Sequence, residues 1–246
     1  MATTHSSERV TLDTVTQPIL RLDGVSAGYG QVPVIRDINL TVYPGEVVAL
    51  LGANGAGKTT TILTLAGEIS PQSGQVYFNG APTKANLYKR AKAGLRLITE
   101  ERSVFMSLNV ADNLRLAHRD STRALELFPE LKPLISRKAG LLSGGEQQML
   151  VMSRALGGDD CTVLLADELS LGLSPVAVDR LFVALREAAN RGVGVLLVEQ
   201  SMERALRVAD RAYVLRRGRV VMEGTVREIW ERKSEVHSAY LADEVE

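Results

Sequence analysis

Lys58 and Thr59 end the run Gly52-Ala53-Asn54-Gly55-Ala56-Gly57-Lys58-Thr59, which fits G-x-x-x-x-G-K-[ST]. Those residue types at that spacing suit the holding of a polyphosphate. Glycines let the backbone curl so that its amides turn inward on a phosphate. A helix starting near Lys58 would add its positive end to the same anion site. Lys58 reaches β- and γ-phosphates as a point charge, and the Thr59 hydroxyl suits a Mg²⁺ ligand. The bare pattern arises by chance in roughly one chain of this length in a hundred. Here an apolar run precedes it and a helical pattern follows, the context that the chemistry requires.

Two carboxylates, Asp167 and Glu168, end the apolar stretch Thr162-Val163-Leu164-Leu165-Ala166. At the C-terminal edge of a parallel sheet they would face the ligand crevice. Asp167 suits a role beside Mg²⁺, and Glu168 suits orienting or deprotonating an attacking water. Between these two motifs lies Leu142-Ser143-Gly144-Gly145-Glu146-Gln147-Gln148, a second glycine-rich segment that opens a helix. It offers another set of backbone amides for phosphate. One triphosphate does not need two such cradles, so this one suits a nucleotide held by a partner subunit.

The elements that would position these groups follow from the pattern of apolar residues. Short apolar runs alternate with helical stretches, which argues for an α/β fold with parallel strands. Strands are expected at 19–25, 35–42, 46–51, 73–78, 95–98, 161–166 and 193–198, with a terminal hairpin at 211–215 and 219–222. Helices are expected at 58–66, 145–156, 175–189 and 202–208, and two short ones at 226–231 and 236–242. The stretch from Val110 to Leu142 reads as mainly helical, interrupted by Pro129 and Pro133, and as inserted into the α/β core.

At 246 residues, 45% hydrophobic and 24% charged, the chain can bury a core without disulfides. Lys plus Arg equals Asp plus Glu at 29 each, so no basic field marks it as a nucleic-acid binder. Its single cysteine, Cys161, gives neither an internal disulfide nor a metal-ligand spacing. No apolar run reaches the ~20 residues that cross a bilayer, and the first residues carry no apolar signal segment. Any action at a membrane would go through an integral partner. The histidines His5, His118 and His237 and the lone Trp230 form no arrangement that suggests a site.

Together these motifs resemble the ATP-binding cassette (ABC) family over about residues 19–242. The resemblance implies a P-loop NTPase core with a mostly parallel sheet, an antiparallel β subdomain and an inserted helical subdomain at about 103–157. Residues 1–18 are then an extension, expected to be disordered, and 243–246 a tail. Two subunits would sandwich two ATP molecules head to tail. Ser143, Gly144, Gly145 and Glu146 of one subunit would close on the ATP held by Gly52, Ala53, Asn54, Gly55, Ala56, Gly57, Lys58, Thr59 and Thr60 of the other. Tyr29, in Gly28-Tyr29-Gly30, matches the aromatic that stacks on adenine in this family; taken alone it reads as a loop tyrosine.

A finer resemblance rests on Glu100-Glu101-Arg102-Ser103-Val104-Phe105, Leu173-Ser174-Pro175 and Val198-Glu199-Gln200. These are similar to the cytoplasmic ATPase subunits of importers for branched-chain amino acids, or for urea and short amides. It implies integral permease subunits as partners, a substrate-binding protein acting indirectly, and a site on the inner face of the cell membrane. Two different ATPase subunits pair in such importers. Thr99 and Leu169 depart from the proline expected at each position. Phe105 and Met106 have two readings, contact with a permease helix or ordinary core packing.

The Glu100 and Gln200 variants have physical consequences. An amide at Gln200 cannot take up a proton, so it can orient phosphate but leaves Glu168 as the base. A carboxylate at Glu100 suits Mg²⁺ but not a facing γ-phosphate, since two like charges 5 Å apart cost about 3 kcal/mol at an effective dielectric near 20. Glu100 is therefore expected to face the metal or to point away. Other ATPases remain as rivals. A DNA-maintenance ATPase split by coiled coils lacks room for heptads between Lys58 and Ser143. An exporter subunit and a regulator without productive turnover stay open.

Overall fold

The computed structural model describes residues 17–118 and 120–241. The extension expected over the first residues and the C-terminal tail thus fall almost wholly outside the described residues. The first half of the chain runs β1 (Leu20–Tyr29), β2 (Val32–Val42), β3 (Val47–Leu51), α1 (Lys58–Ala66), β4 (Ser73–Phe78), β5 (Ala81–Pro82), α2 (Leu87–Lys92), β6 (Leu95–Ile98), α3 (Val110–Ala117) and α4 (Thr122–Leu127). It continues with α5 (Gly144–Leu156), β7 (Val163–Asp167), α6 (Pro175–Asn190), β8 (Gly194–Glu199), α7 (Met202–Leu206), β9 (Arg211–Arg216), β10 (Arg219–Thr225), α8 (Val226–Glu231) and α9 (Lys233–Leu241).

Two sheets form. One is antiparallel, in the order β2-β1-β4-β5, and the other has the order β10-β9-β3-β8-β7-β6. In the second, β9, β3, β8, β7 and β6 are all parallel and only β10 runs against its neighbour. The fold is α/β, as the alternation of elements in the sequence implies.

Both faces of the parallel sheet are covered, which explains its uninterrupted apolar strands. Successive side chains of a strand point to opposite faces. Leu164 and Ala166 pack with residues of α3, α5 and α6, whereas Val163 and Leu165 pack with α1 and the antiparallel sheet. A third cluster joins Ala49 and Leu51 to α7 and α8. Each fully buried Leu or Val contributes about 1.5–3 kcal/mol. The sheet therefore holds the C-terminal ends of β3, β7 and β8 in fixed register, with Leu51 beside Glu199 and Asp167 beside Val198.

Several local signals were legible and others were not. Gly57 and Gly67 bound α1 with φ of 105° and 88°, a conformation that other residues rarely adopt. Helix α2 was not expected; its signal is Asn86, whose side chain accepts from Lys89 N at the helix start. Arg90 of α2 is buried and donates to Thr64 O and Leu65 O at the end of α1. Helix α4 ends at Leu127, and Pro129 then opens a 3₁₀ segment, Pro129–Leu134, which also contains Pro133. Cys161 precedes its strand rather than starting it.

Candidate functional site

The phosphate loop follows β3 directly. A side chain at Gly52 would come within 2.5 Å of Leu215 O, and one at Gly57 within 2.7 Å of Ile35. Glycine is thus required there by space as well as by backbone conformation. The turn after β9 braces the loop, since Gly218 N donates to Ala56 O. Lys58 is only 5% exposed, and its ammonium donates to Gly52 O at 2.8 Å and Ala53 O at 3.0 Å. Burial lowers its pKa from the ordinary value, while the charges of Glu168 and Asp167 oppose that. A polyphosphate brought here would meet a desolvated cation and the N-terminus of α1.

The pairing of β3 and β7 with β8 between them also brings the two halves of the expected cation site together. Thr59 Oγ1 donates to Asp167 Oδ2 at 3.1 Å. The other oxygen, Asp167 Oδ1, is buried with no hydrogen-bond partner. Burial raises the Asp167 pKa; the Thr59 hydrogen bond and Lys58 lower it, and the charges of Glu168 and Glu100 raise it further. An orphaned carboxylate oxygen in an acidic surrounding is costly alone. It fits a divalent cation held by Thr59, with Asp167 behind it and Glu100 within electrostatic reach. Glu100 itself is exposed.

Glu168 lies just beyond β7 with φ of 49°, a left-handed conformation that a glutamate rarely adopts. Two contacts to the end of β8 hold it. Its N–H donates to Val198 O at 3.0 Å, and its carboxylate accepts from Gln200 Nε2 at 3.0 and 3.2 Å. The Gln200 amide is thus directed at Glu168, whereas the sequence suggested contact with phosphate. Leu169, at the position where proline was expected, is 1% exposed and belongs to the core cluster on the α5 and α6 side.

Ser143 is the N-cap of α5. Its Oγ accepts from Glu146 N at 3.4 Å, and Glu146 Oε2 accepts from Ser143 N at 2.7 Å. This reciprocal cap assigns Glu146 a helix-capping contact, where the sequence placed it among groups for a partner's nucleotide. It occupies the Ser143 amide. The exposed Ser143 hydroxyl and the first amides of α5 remain at the helix N-terminus. Ser143 to Glu146 line a cavity of about 450 Å³ with Gly172, Leu173, Ser174 and Ala177, and no residue of the phosphate loop takes part. A side chain at Gly144 would lie 3.1 Å from the Arg102 guanidinium. Tyr29 is 61% exposed at the end of β1.

Phe105 and Met106 are about half exposed rather than packed in the core. His118 is occupied in the fold, its Nε2 bonding to Arg154 O at 2.8 Å. Sequence reasoning missed Glu199, a buried carboxylate beside Gln200. Its only signal was an acidic residue ending a wholly apolar strand.

The ABC transporter family profile matches residues 35–170. The chain is 40% identical over 221 residues to the high-affinity branched-chain amino acid transport ATP-binding protein BraG of Pseudomonas aeruginosa, covering 84% of this chain and 93% of that one. It is 36% identical to the probable branched-chain amino acid transport ATP-binding protein LivF of Archaeoglobus fulgidus, over 87% and 95% of the two chains. A solved ATP-binding subunit of an ABC transporter superposes with a TM-score of 0.75 at 29% identity, over 92% of this chain and 97% of that chain. Among the described residues no helix is long and apolar enough to cross a membrane. The chain therefore belongs to the ABC transporter family, as one of its ATP-binding, ATP-hydrolysing subunits.

Proposed function

We propose that this ATPase drives an importer of branched-chain amino acids, with Mg²⁺ as its metal, from the inner face of the membrane. The names and the identity of the BraG and LivF relatives support the cargo class. The observation that carries the catalytic reading is the pairing of a donated amide with the carboxylate of Glu168, next to the Thr59–Asp167 contact.

In this reading the phosphate loop, residues 52–60, wraps the phosphates and Tyr29 stacks on adenine. Lys58 stabilises the charge that develops on the transferring phosphoryl group. Glu168 accepts a proton from water as the water oxygen bonds to the γ-phosphorus and the bond to ADP breaks. Gln200 holds that carboxylate in place. Thr59 and Asp167 would hold the metal, with the Glu100 carboxylate adding negative charge nearby. When bound, Mg²⁺ neutralises and orients the β- and γ-phosphate oxygens. Ser143, Gly144 and Gly145 serve the ATP of a second cassette subunit, joined head to tail and most readily a related, non-identical one. Integral permease subunits anchor the pair, and a substrate-binding protein delivers cargo to them.

Two experiments test this. Purified protein should hydrolyse ATP with added Mg²⁺, and Glu168→Gln should slow it by about 100-fold or more; equal rates would remove Glu168 from the chemistry. Deleting the gene should abolish high-affinity leucine uptake by cells. Undiminished uptake, with loss of transport of another solute, would overturn the cargo assignment.

A further inference from the structure

Glu199 ends β8 and takes no part in the site described above. Its side chain is buried, at 3% exposure. Its carboxylate grips one residue. Oε1 accepts from Ser170 N at 3.1 Å, and Oε2 accepts from Ser170 Oγ at 2.7 Å. Arg204 of α7 donates to the same hydroxyl at 3.3 Å, which leaves the hydroxyl proton for Glu199. Burial raises the Glu199 pKa, while the hydrogen bonds from Ser170 and the charge of Arg204 oppose that. A carboxylate is costly to bury, so its contacts should be specific.

Ser170 stands two residues after Glu168 and starts the turn that leads to α6. Leu171 N donates to Glu168 O at 3.2 Å, and Leu173 N donates to Ser170 O at 3.3 Å. Nothing in Leu169 fixes its own φ, because it has no ring. The turn is instead tied to the end of β8 and the residue after it at three successive places. Val198 O accepts from Glu168 N, Glu199 holds Ser170, and Gln200 donates to the Glu168 carboxylate. The same turn supplies Gly172, Leu173 and Ser174 to the cavity beside Ser143. One buried carboxylate therefore anchors a segment that bears the base at one end and borders the partner-facing cradle at the other.

We infer that Glu199 is a positioning residue for ATP hydrolysis, clamping Ser170 so that Glu168 keeps its left-handed backbone and its contact with Gln200. This rests on the hydrolytic role of Glu168 proposed above. The clamp aims a carboxylate and touches no nucleotide, so its loss acts on turnover and spares ATP binding.

The test uses the full chain in Mg²⁺-ATPase assays and in hydrogen–deuterium exchange of peptides spanning residues 168–174. Glu199→Ala should lower kcat by about 10-fold or more, because small misplacements of a catalytic group cost that much. Its KM for ATP should stay within about twofold, and exchange in the turn should rise. Glu199→Gln should restore most of kcat, since its amide can accept from Ser170 N–H and donate to Ser170 Oγ. If Glu199→Ala does not fold, Ser170→Ala decides: it keeps the core and should still lower kcat by about threefold. Wild-type kcat and unchanged exchange in either folded variant would overturn the inference. An equal loss of ATP affinity and turnover, without rescue by Glu199→Gln, would also overturn it. Absence of hydrolysis by the wild-type chain would instead sink the functional reading, and the exchange data would still decide whether the clamp exists.

Discussion

Gln200 Nε2 donates to both carboxylate oxygens of Glu168, at 3.0 and 3.2 Å. An amide here can orient the carboxylate but cannot share its proton, so the two residues have separate tasks. Replacing Gln200 by Ala should lower kcat by about 10- to 100-fold with little change in the KM for ATP. Steady-state kinetics at saturating Mg²⁺ would check this. A rise in KM at unchanged kcat would show that Gln200 binds nucleotide instead.

Asp167 is held at a stability cost, since burial and the charges of Glu168 and Glu100 disfavour its ionised form. A neutral isostere relieves that cost while still accepting from Thr59. Asp167→Asn should raise the melting temperature of the nucleotide-free protein by roughly 2–4 °C, on the order of 1 kcal/mol. It should also abolish the stimulation of hydrolysis by Mg²⁺. Calorimetry and a Mg²⁺ titration would show whether both changes occur; a lower melting temperature would contradict the first.

The cap of α5 gives Ser143→Arg two separable effects. Losing the Ser143 Oγ contact with Glu146 N should cost about 1 kcal/mol of stability. The bulky cation should block a partner's nucleotide while sparing the chain's own phosphate loop, which lies outside the cavity lined by Ser143. Expected is near-normal binding of a fluorescent ATP analogue together with loss of hydrolysis. Normal hydrolysis would remove the Ser143–Gly145 segment from the reaction.

Burial pushes the Cys161 thiol from its ordinary value near 9 up to about 11. Between those values an unfolded chain loses the proton and the folded one keeps it, so ionisation favours unfolding. Stability from this group is therefore intact below pH 9 and falls as pH rises to about 11. Cys161→Ser should lose less stability than the wild type across that window, as read by urea unfolding at each pH. The native thiol should also resist alkylation at pH 8 and react once the chain is unfolded.

The groups that act through the backbone were determined by the sequence alone. Gly52 to Thr59 specify a loop whose glycines and helix start are local matters, and α1 begins as those residues imply and stops at Gly67. The uninterrupted apolar strand before Asp167 and Glu168 likewise announces a sheet covered on both faces. Contacts between distant segments were decided only by the tertiary structure. Strands β7 and β8 had to pair in register before Gln200 could reach Glu168 or Glu199 could reach Ser170. The motif of Glu146 suggested only a contact for a partner, and the geometry of the helix start adds a cap for α5. Helix α2 escaped notice because six residues give too few turns for a periodic signal, and its anchor, Arg90, holds carbonyls on another helix. Periodicity and loop chemistry are local properties of a chain, whereas the aim of a side chain depends on which strand folding places beside it.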